Sequence, residues 1–308
     1  MATSGSKNYT VNRTDLIESA LRKLGAYDAG DTVSDDELAD ANMALNLMVK
    51  EWSARGIDVP WRETLTLFLQ PNTQSYLIGP SGDECTESFV ETTLSAAAAS
   101  SATTITLTST TGITAADRIG IKLDSGSIHW TTVVVAATTT ITTGLASAAA
   151  SGNAVYAYTT KCNRPNKLVY VHTRDSSNID NQVDLIGEVA YRQLSNKGSA
   201  GRPNQVYYQP TLTNGKLFVW PANSGGVDKL YLISQPLVDD FDAASDNPDF
   251  PIEWSKAIIF GLAADLGPEY GIPVRFQDRL EAKANALLEA LFDYDVENAP
   301  VVLAVDQT

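Results

Sequence analysis

The sequence predicts an α+β protein: a discontinuous four-helix bundle from N- and C-terminal helix pairs, a central antiparallel β-domain, and a small inserted β-barrel or sandwich. Three observations lead there. Apolar residues recur at helical spacing near both ends of the chain but alternate with period two between them. Neither helix pair can bury its apolar stripe alone, so the two pairs are expected to pack on each other with the β-region on top. Finally, residues 92–154 change composition, with Ala, Ser and Thr making up 38 of 63 positions. The expected domains are 1–62 with 248–295 (helical), 63–84 with 161–247 (β), 85–160 (insert) and 296–308 (an extended C-terminal arm).

Taken in order, Thr14 reads as a helix N-cap. Leu16, Ile17, Ala20, Leu21 and Leu24 then share a face, and Gly25 closes the helix. Ser34 and Glu37 form a capping box for a second helix. Its residues Leu38, Ala41, Leu45, Met48 and Trp52 follow at spacings of 3, 4, 3 and 4, a seam for another helix, and it should end near Gly56. Leu65, Leu67 and Leu69 alternate, Pro71-Asn72-Thr73 turns, and Tyr76-Leu77-Ile78 returns, which predicts a hairpin.

Low complexity in the insert is compatible with disorder, but its alternation argues for strands. Ile105 and Leu107, Ile119, Ile121 and Leu123, Ile128, Trp130 and Val133–Val135 mark them, and Tyr156 and Tyr158 close the segment. The phrases Thr103–Thr106 and Thr139–Thr142 (TTIT twice) hint at an internal repeat. Further strands are expected at 168–172, 205–209, 216–220 and 229–233, with a short helix at 186–195. The five aspartates between 239 and 249 read as a solvated loop. Pro251 opens a helix carrying Trp254, Ile258, Leu262 and Leu266, which Gly267-Pro268 stops. Pro273 opens the last helix, with Phe276, Leu280, Ala284, Leu287 and Leu291 as its buried face. Leu45, Met48 and Trp52 are expected to meet Trp254, Ile258 or Leu287 across the bundle.

The chemistry-bearing residues are sparse. Twenty-two Lys and Arg against 37 Asp and Glu leave a net charge of −15, a poor basis for gripping duplex DNA or an anionic membrane. Two cysteines exclude a Cys₄ zinc site and a disulfide scaffold, and two histidines exclude a three-His metal site. No run of about 18 apolar residues is present. The opening stretch MATSGSKNYTVNR has no apolar core of the secretion-signal kind, so the Asn8 and Asn12 sequons carry little weight. Phosphate loop, dinucleotide fingerprint, zinc-helix, nucleophile-elbow and C-x-x-C motifs are all missing. His129 and His172 lie in strand patterns and read as structural. The aspartate run lacks the ligand spacing and central glycine of a calcium loop. No catalytic, cofactor or metal site is expected. Cys85 and Cys162 flank the insert and should lie close together at its base, reduced, because an inserted domain enters and leaves its host at neighbouring points.

Several features together resemble the podophage head-to-tail adaptor family, the neck proteins of the tail tubular protein A and packaged-DNA stabilisation type. They are the helix pair from Leu16-Ile17 through Leu24-Gly25 and Asp36-Glu37 to Trp52 and Gly56; the insert phrase from Asp117-Arg118-Ile119-Gly120 to Trp130-Thr131-Thr132-Val133; and Pro248-Asp249-Phe250-Pro251-Ile252-Glu253-Trp254-Ser255-Lys256-Ala257, similar to the family's return into its C-terminal helices. The resemblance spans most of the chain. It implies a non-enzymatic structural virion protein in the neck, assembled in the host cytoplasm. Neighbouring copies would form a ring, typically of twelve, below the portal protein and above a downstream tail or nozzle protein. Double-stranded DNA would pass through its channel without specific binding, and no membrane or cofactor is involved.

The residues agree with that picture in three respects. An acidic chain does not hold DNA, one heterologous interface repeated by rotation closes into a ring, and an apolar-acidic arm suits ordering on a partner. In the arm, Pro300 blocks helix and Val301, Val302, Leu303 and Val305 are the expected contact to the portal or a neighbouring subunit. The alternative of a fold back onto its own bundle remains open. Two other function classes stand beside this one. A carbohydrate-binding or adhesin-like tail module would use Trp130, Tyr156 and Tyr158 of the insert, and a hydrolase would use a site without a recognised motif.

Overall fold

The computed structural model describes residues 9–28, 30–54, 62–137, 139–174 and 179–294. The expected helix end at Gly56 and the whole arm, with Pro300, Val301, Val302, Leu303 and Val305, lie outside the described residues. The fold is α+β. The helices are α1 (Arg13–Leu24), α2 (Asp35–Ala54), α3 (Glu188–Gln193), α4 (Ser255–Leu266) and α5 (Val274–Tyr294). The strands are β1 (Glu63–Phe68), β2 (Ser75–Ile78), β3 (Cys85–Thr86), β4 (Val90–Thr93), β5 (Arg118–Lys122), β6 (Ile128–Val135), β7 (Thr140–Ile141), β8 (Ala154–Tyr158), β9 (Lys167–Arg174), β10 (Asp180–Leu185), β11 (Ala200–Gly201), β12 (Gln205–Pro210), β13 (Gly215–Trp220), β14 (Ala222–Asn223) and β15 (Lys229–Gln235). They divide into a helical unit (Met1–Pro60 with Val238–Thr308) and a β-unit (Trp61–Leu237). Among the described residues, no helix is long and apolar enough to cross a membrane.

In the helical unit the cap of α1 is Asn12, two residues before the expected Thr14. Asn12 accepts the Asp15 N–H at 2.9 Å, and Asp15 accepts the Asn12 N–H at 3.3 Å. This reciprocal pair satisfies two free donors at once, while the Thr14 hydroxyl instead donates to the Ala244 carbonyl. The Ser34–Glu37 box is present at the start of α2. Helix α4 is the common partner, packing against α1, α2 and α5. Its buried set (Ser255, Ala257, Ile258, Leu262, Ala263, Leu266) wraps more than one face, as expected of a helix with neighbours on several sides. Gly261 permits the approach of α2, since a Cβ there would sit 3.0 Å from both the Met48 sulfur and the Trp52 ring. Helix α5 packs chiefly on α4. Leu280 and Ala284 are buried, but Phe276 is 39% exposed and does not join that face.

The acidic run is a loop with Asp239, Asp240 and Asp242 exposed, as expected, but it is pinned to the rest of the helical unit. Asp246 accepts the N–H groups of Asp242 and Ala243, Asp249 accepts that of Asp239, and Asp240 pairs with Lys50 at 2.7 Å. Asn42 and Asn46, one turn apart on α2, hold the loop by bonding both backbone groups of Phe241. Phe241 and Val238 are 3% exposed. Short aspartate side chains therefore close turns here, which charge counting alone cannot reveal.

In the β-unit, eight strands form a nearly closed, barrel-like sheet in the order β2-β13-β12-β10-β9-β15-β1-β3, antiparallel except for β10 with β12. The predicted β1–β2 hairpin does not form. Both edges of β1 are taken, by β15 and β3, and β2 pairs with β13. Strand β10 was not expected, because only Val183 of DNQVDL is buried; it is held as a strand by β9 and β12 on its two sides. The insert is a five-stranded antiparallel sheet, β4-β8-β5-β6-β7, with Leu94, Ile105, Ile119, Ile121, Val133, Ile141 and Val155 in its core. The two TTIT phrases lie side by side. Ile105 N–H donates to the Thr139 carbonyl and Ile141 N–H to that of Thr103, so both isoleucines enter one core.

Candidate assembly surfaces

The six residues expected to pack across a bundle are placed as follows. Leu45 and Ile258 are fully buried, and Met48, Trp52 and Trp254 are 5–6% exposed. The Trp52 ring lies 6.5 Å from both Phe250 and Trp254, so segments about 200 residues apart share one core. Leu287 stands elsewhere, half-buried in a groove of about 220 Å³ with Glu253, Lys256, Ala257, Ala290 and Leu291. The groove runs beside α5, which meets α4 without being enclosed by the other helices. On α2 a second apolar pair, Met43 and Leu47, points outward at 60% and 64% exposure.

The insert is fastened to its host sheet by an aromatic joint. Phe68 of β1 is 1% exposed and meets Trp130 and Tyr156 at 4.9 Å, Phe89 at 5.3 Å and Tyr158 at 6.3 Å. Leu65 and Leu67 alternate toward the barrel core, but Thr66 and Phe68 are buried as well, which the alternation of β1 did not predict. Gly120 lies opposite Trp130 in the β5–β6 ladder, and a Cβ there would come within 2.7 Å of the indole. An isolated glycine in a strand is the sequence mark of such an approach.

Charged groups ring the joint. Glu84 receives Arg118 and the Tyr158 hydroxyl; Asp228 receives Lys122 at 2.7 Å and the Tyr156 hydroxyl at 3.0 Å; Lys229 pairs with Glu91 at 2.7 Å. A cleft of about 340 Å³ opens among Glu91, Lys122, Tyr156, Asp228, Lys229 and Arg174; the Arg174 guanidinium pairs with Asp180 at 2.6 Å. Tyr156 and Tyr158, at 2% and 3% exposure, present no free face to a sugar. At the insert's base Cys162 N–H donates to the Cys85 carbonyl at 2.9 Å. Both thiols are free and buried, and burial followed by the neighbouring Cys162 raises the Cys85 thiol well above its ordinary range.

Burial also acts on the tyrosines. Tyr76 is pushed up to about 12, with Tyr156 and Tyr158 raised in the same direction. The native state thus retains phenol protons that the unfolded chain loses near pH 10. This contribution to stability is whole below pH 10 and is lost as pH rises toward 12. Equilibrium denaturation across that window should show falling stability, with phenolate absorbance appearing late in the native protein. A native phenolate titration centred at the ordinary tyrosine value would contradict the burial.

His172 is 8% exposed, stacks on Tyr231 at 5.1 Å and keeps Nε2 3.8 Å from Asp180. Desolvation lowers its pKa, so the ring is neutral near pH 7. His129 is half-buried, with Nε2 3.3 Å from the Thr143 carbonyl. Among the described residues no group of three His, Cys, Asp or Glu side chains could hold a metal ion.

The net charge is divided unevenly. Residues 61–237 carry twelve Lys and Arg and twelve Asp and Glu, whereas the helical unit's segments carry ten against twenty-five. The β-unit is therefore neutral overall, and the whole −15 resides with the helices and their flanks. Compared with known proteins, the chain matches no family model and no curated sequence.

Proposed function

We propose that the chain is a structural head-to-tail adaptor of a phage virion, a ring-forming neck protein that joins capsid to tail and leaves a channel for DNA. The observation that carries this reading is the meeting of the first and last helices in one core around α4, with Trp52 against Trp254, while an intact β-unit separates them in sequence. In this reading α1, α2, α4 and α5 act as a discontinuous four-helix bundle, completed where the open sides of α5 and the Met43–Leu47 face of α2 meet neighbouring copies. The partners are the portal protein above, copies of the same chain around the ring, and a tail or nozzle protein below. The neutral β-unit and the acidic helical unit both disfavour lasting contact with DNA phosphates. Assembly takes place in the host cytoplasm, and no cofactor or membrane takes part.

Mass photometry and negative-stain microscopy of the purified chain, alone and mixed with a portal, test the proposal. A closed ring, or portal-dependent assembly, is the expected result. A chain that stays monomeric at every concentration and ignores portals would overturn it.

A further inference from the structure

We propose that α2 of one copy docks along α5 of the next, an acidic and apolar stripe on α2 meeting a cationic and alanine stripe on α5, so that copies join head to tail. The partner, a second copy of the chain, rests on the ring-forming reading above; the pairing rests on the two stripes. On α2, Asp36, Asp40, Met43 and Leu47 recur at spacings of 4, 3 and 4 and are all exposed, Met43 at 60% and Leu47 at 64%. On α5, Arg275, Arg279, Ala282 and Ala286 recur at the same spacings and are all exposed, with Lys283 beside them. Each stripe lies on the side of its helix turned away from the buried residues, Ala41 and Leu45 on α2 and Leu280 and Ala284 on α5. Both helices pack on α4. The stripes face away from it and cannot meet within one chain.

Charge favours this pairing. The helical unit carries 25 Asp and Glu against ten Lys and Arg, yet three of those ten stand on this one face of α5. Arg275, Arg279 and Lys283 form no ion pair among the described residues, and neither do Asp36 and Asp40. Arg275 also sits in the first turn of α5, which holds no acidic residue. A cation there opposes the helix dipole, and an acidic partner offsets that cost. With the two helices side by side and parallel, a single register suits every position. Asp36 faces Arg275, Asp40 faces Arg279, Met43 lies on Ala282 and Leu47 on Ala286. Alanine lets the axes approach, so the two larger apolar side chains leave water against the surface of α5.

The two patches differ, so the contact is heterologous. A copy that uses its α2 stripe keeps its α5 stripe for another, and repetition closes into a ring or continues as a filament according to the rotation per copy. A single helix pair buries less than a stable dimer requires. Each contact is therefore weak and salt-sensitive, and closure of the ring holds the copies together.

Charge reversal with mixing tests the interface in full-length protein. One variant carries Asp36→Lys with Asp40→Lys, the other Arg275→Glu with Arg279→Glu. All four positions are exposed, so circular dichroism should match that of the parent. In sedimentation velocity over a concentration series, the parent should self-associate, and more weakly as salt rises. Each variant alone should associate more weakly by roughly ten-fold or more, because it sets like charges in register. An equimolar mixture should recover the parent's association in complexes of 1:1 composition, since each reversed stripe finds its complement on the other variant. A parent that stays monomeric at every concentration, variants that associate as the parent does, or a mixture no stronger than its components would each overturn the interface. Portal binding judges the adaptor reading separately. Reversed variants that still form rings on a portal would keep that reading and reject this contact. A parent that self-associates as described, but forms no closed ring and ignores portals, would keep the contact and reject the reading.

Discussion

Replacing Trp52 by alanine is expected to destabilise the helical unit by about 3–5 kcal/mol, the range for removing a large aromatic from a packed core. Trp52 is 6% exposed, touches Phe250 edge-on and lies against Trp254, and its ring covers Gly261 of α4. Two segments far apart in sequence are joined through this ring, so its loss removes contacts that no local interaction replaces. Urea denaturation followed by the helical circular dichroism signal measures the effect. The helical transition should move to much lower urea while the β-unit transition remains. A loss below about 1 kcal/mol would mean that the helix pairs do not depend on a shared core.

Phe68→Ala should be comparably severe, also about 3–5 kcal/mol, but in the β-unit. Phe68 is 1% exposed among four rings from the insert and its entry strand. The same packing governs what removing the insert does. An insert with neighbouring chain ends is one that a short Gly/Ser bridge in place of residues 86–161 should be able to replace. The chain ends at Cys85 and Cys162 do lie side by side. The deletion nonetheless strips the cover from Phe68 and the cations Arg118 and Lys122 from Glu84 and Asp228. The simple deletion is therefore expected to aggregate, and the deletion with Phe68→Thr to remain soluble and monomeric by size-exclusion chromatography. Equal solubility of the two deletion proteins would show that the joint contributes no core.

These two residues illustrate how differently the two halves of the chain could be read. Trp52 belongs to a run of spacings of 3 and 4, and its burial follows from that run. Phe68 sits one place out of register with Leu65, Leu67 and Leu69, where alternation predicts solvent. Its burial depends on a module that begins some twenty residues later and folds back over the strand. Similarly, Leu287 carries the helical spacing of a core residue, yet it lines an open groove because, among the described residues, α5 packs chiefly on α4 alone.

What the sequence determined by itself is whatever is encoded within a turn or a strand. The α+β class, the helices with their Ser34 and Gly25 boundaries, most of the strands and the β-nature of the Ala/Ser/Thr-rich insert follow from periodicity and capping over a few residues. What only the tertiary structure decided is partnership. It set β15 and β3 rather than β2 beside β1, made a strand of DNQVDL, folded the aspartates into turns under Asn42 and Asn46, and placed the chain's entire negative charge on the helical unit. A helix bonds to itself through residues four apart, so its signal is local. A strand edge or a covered face is completed by residues tens to hundreds of positions away, and no local pattern specifies which of them will arrive.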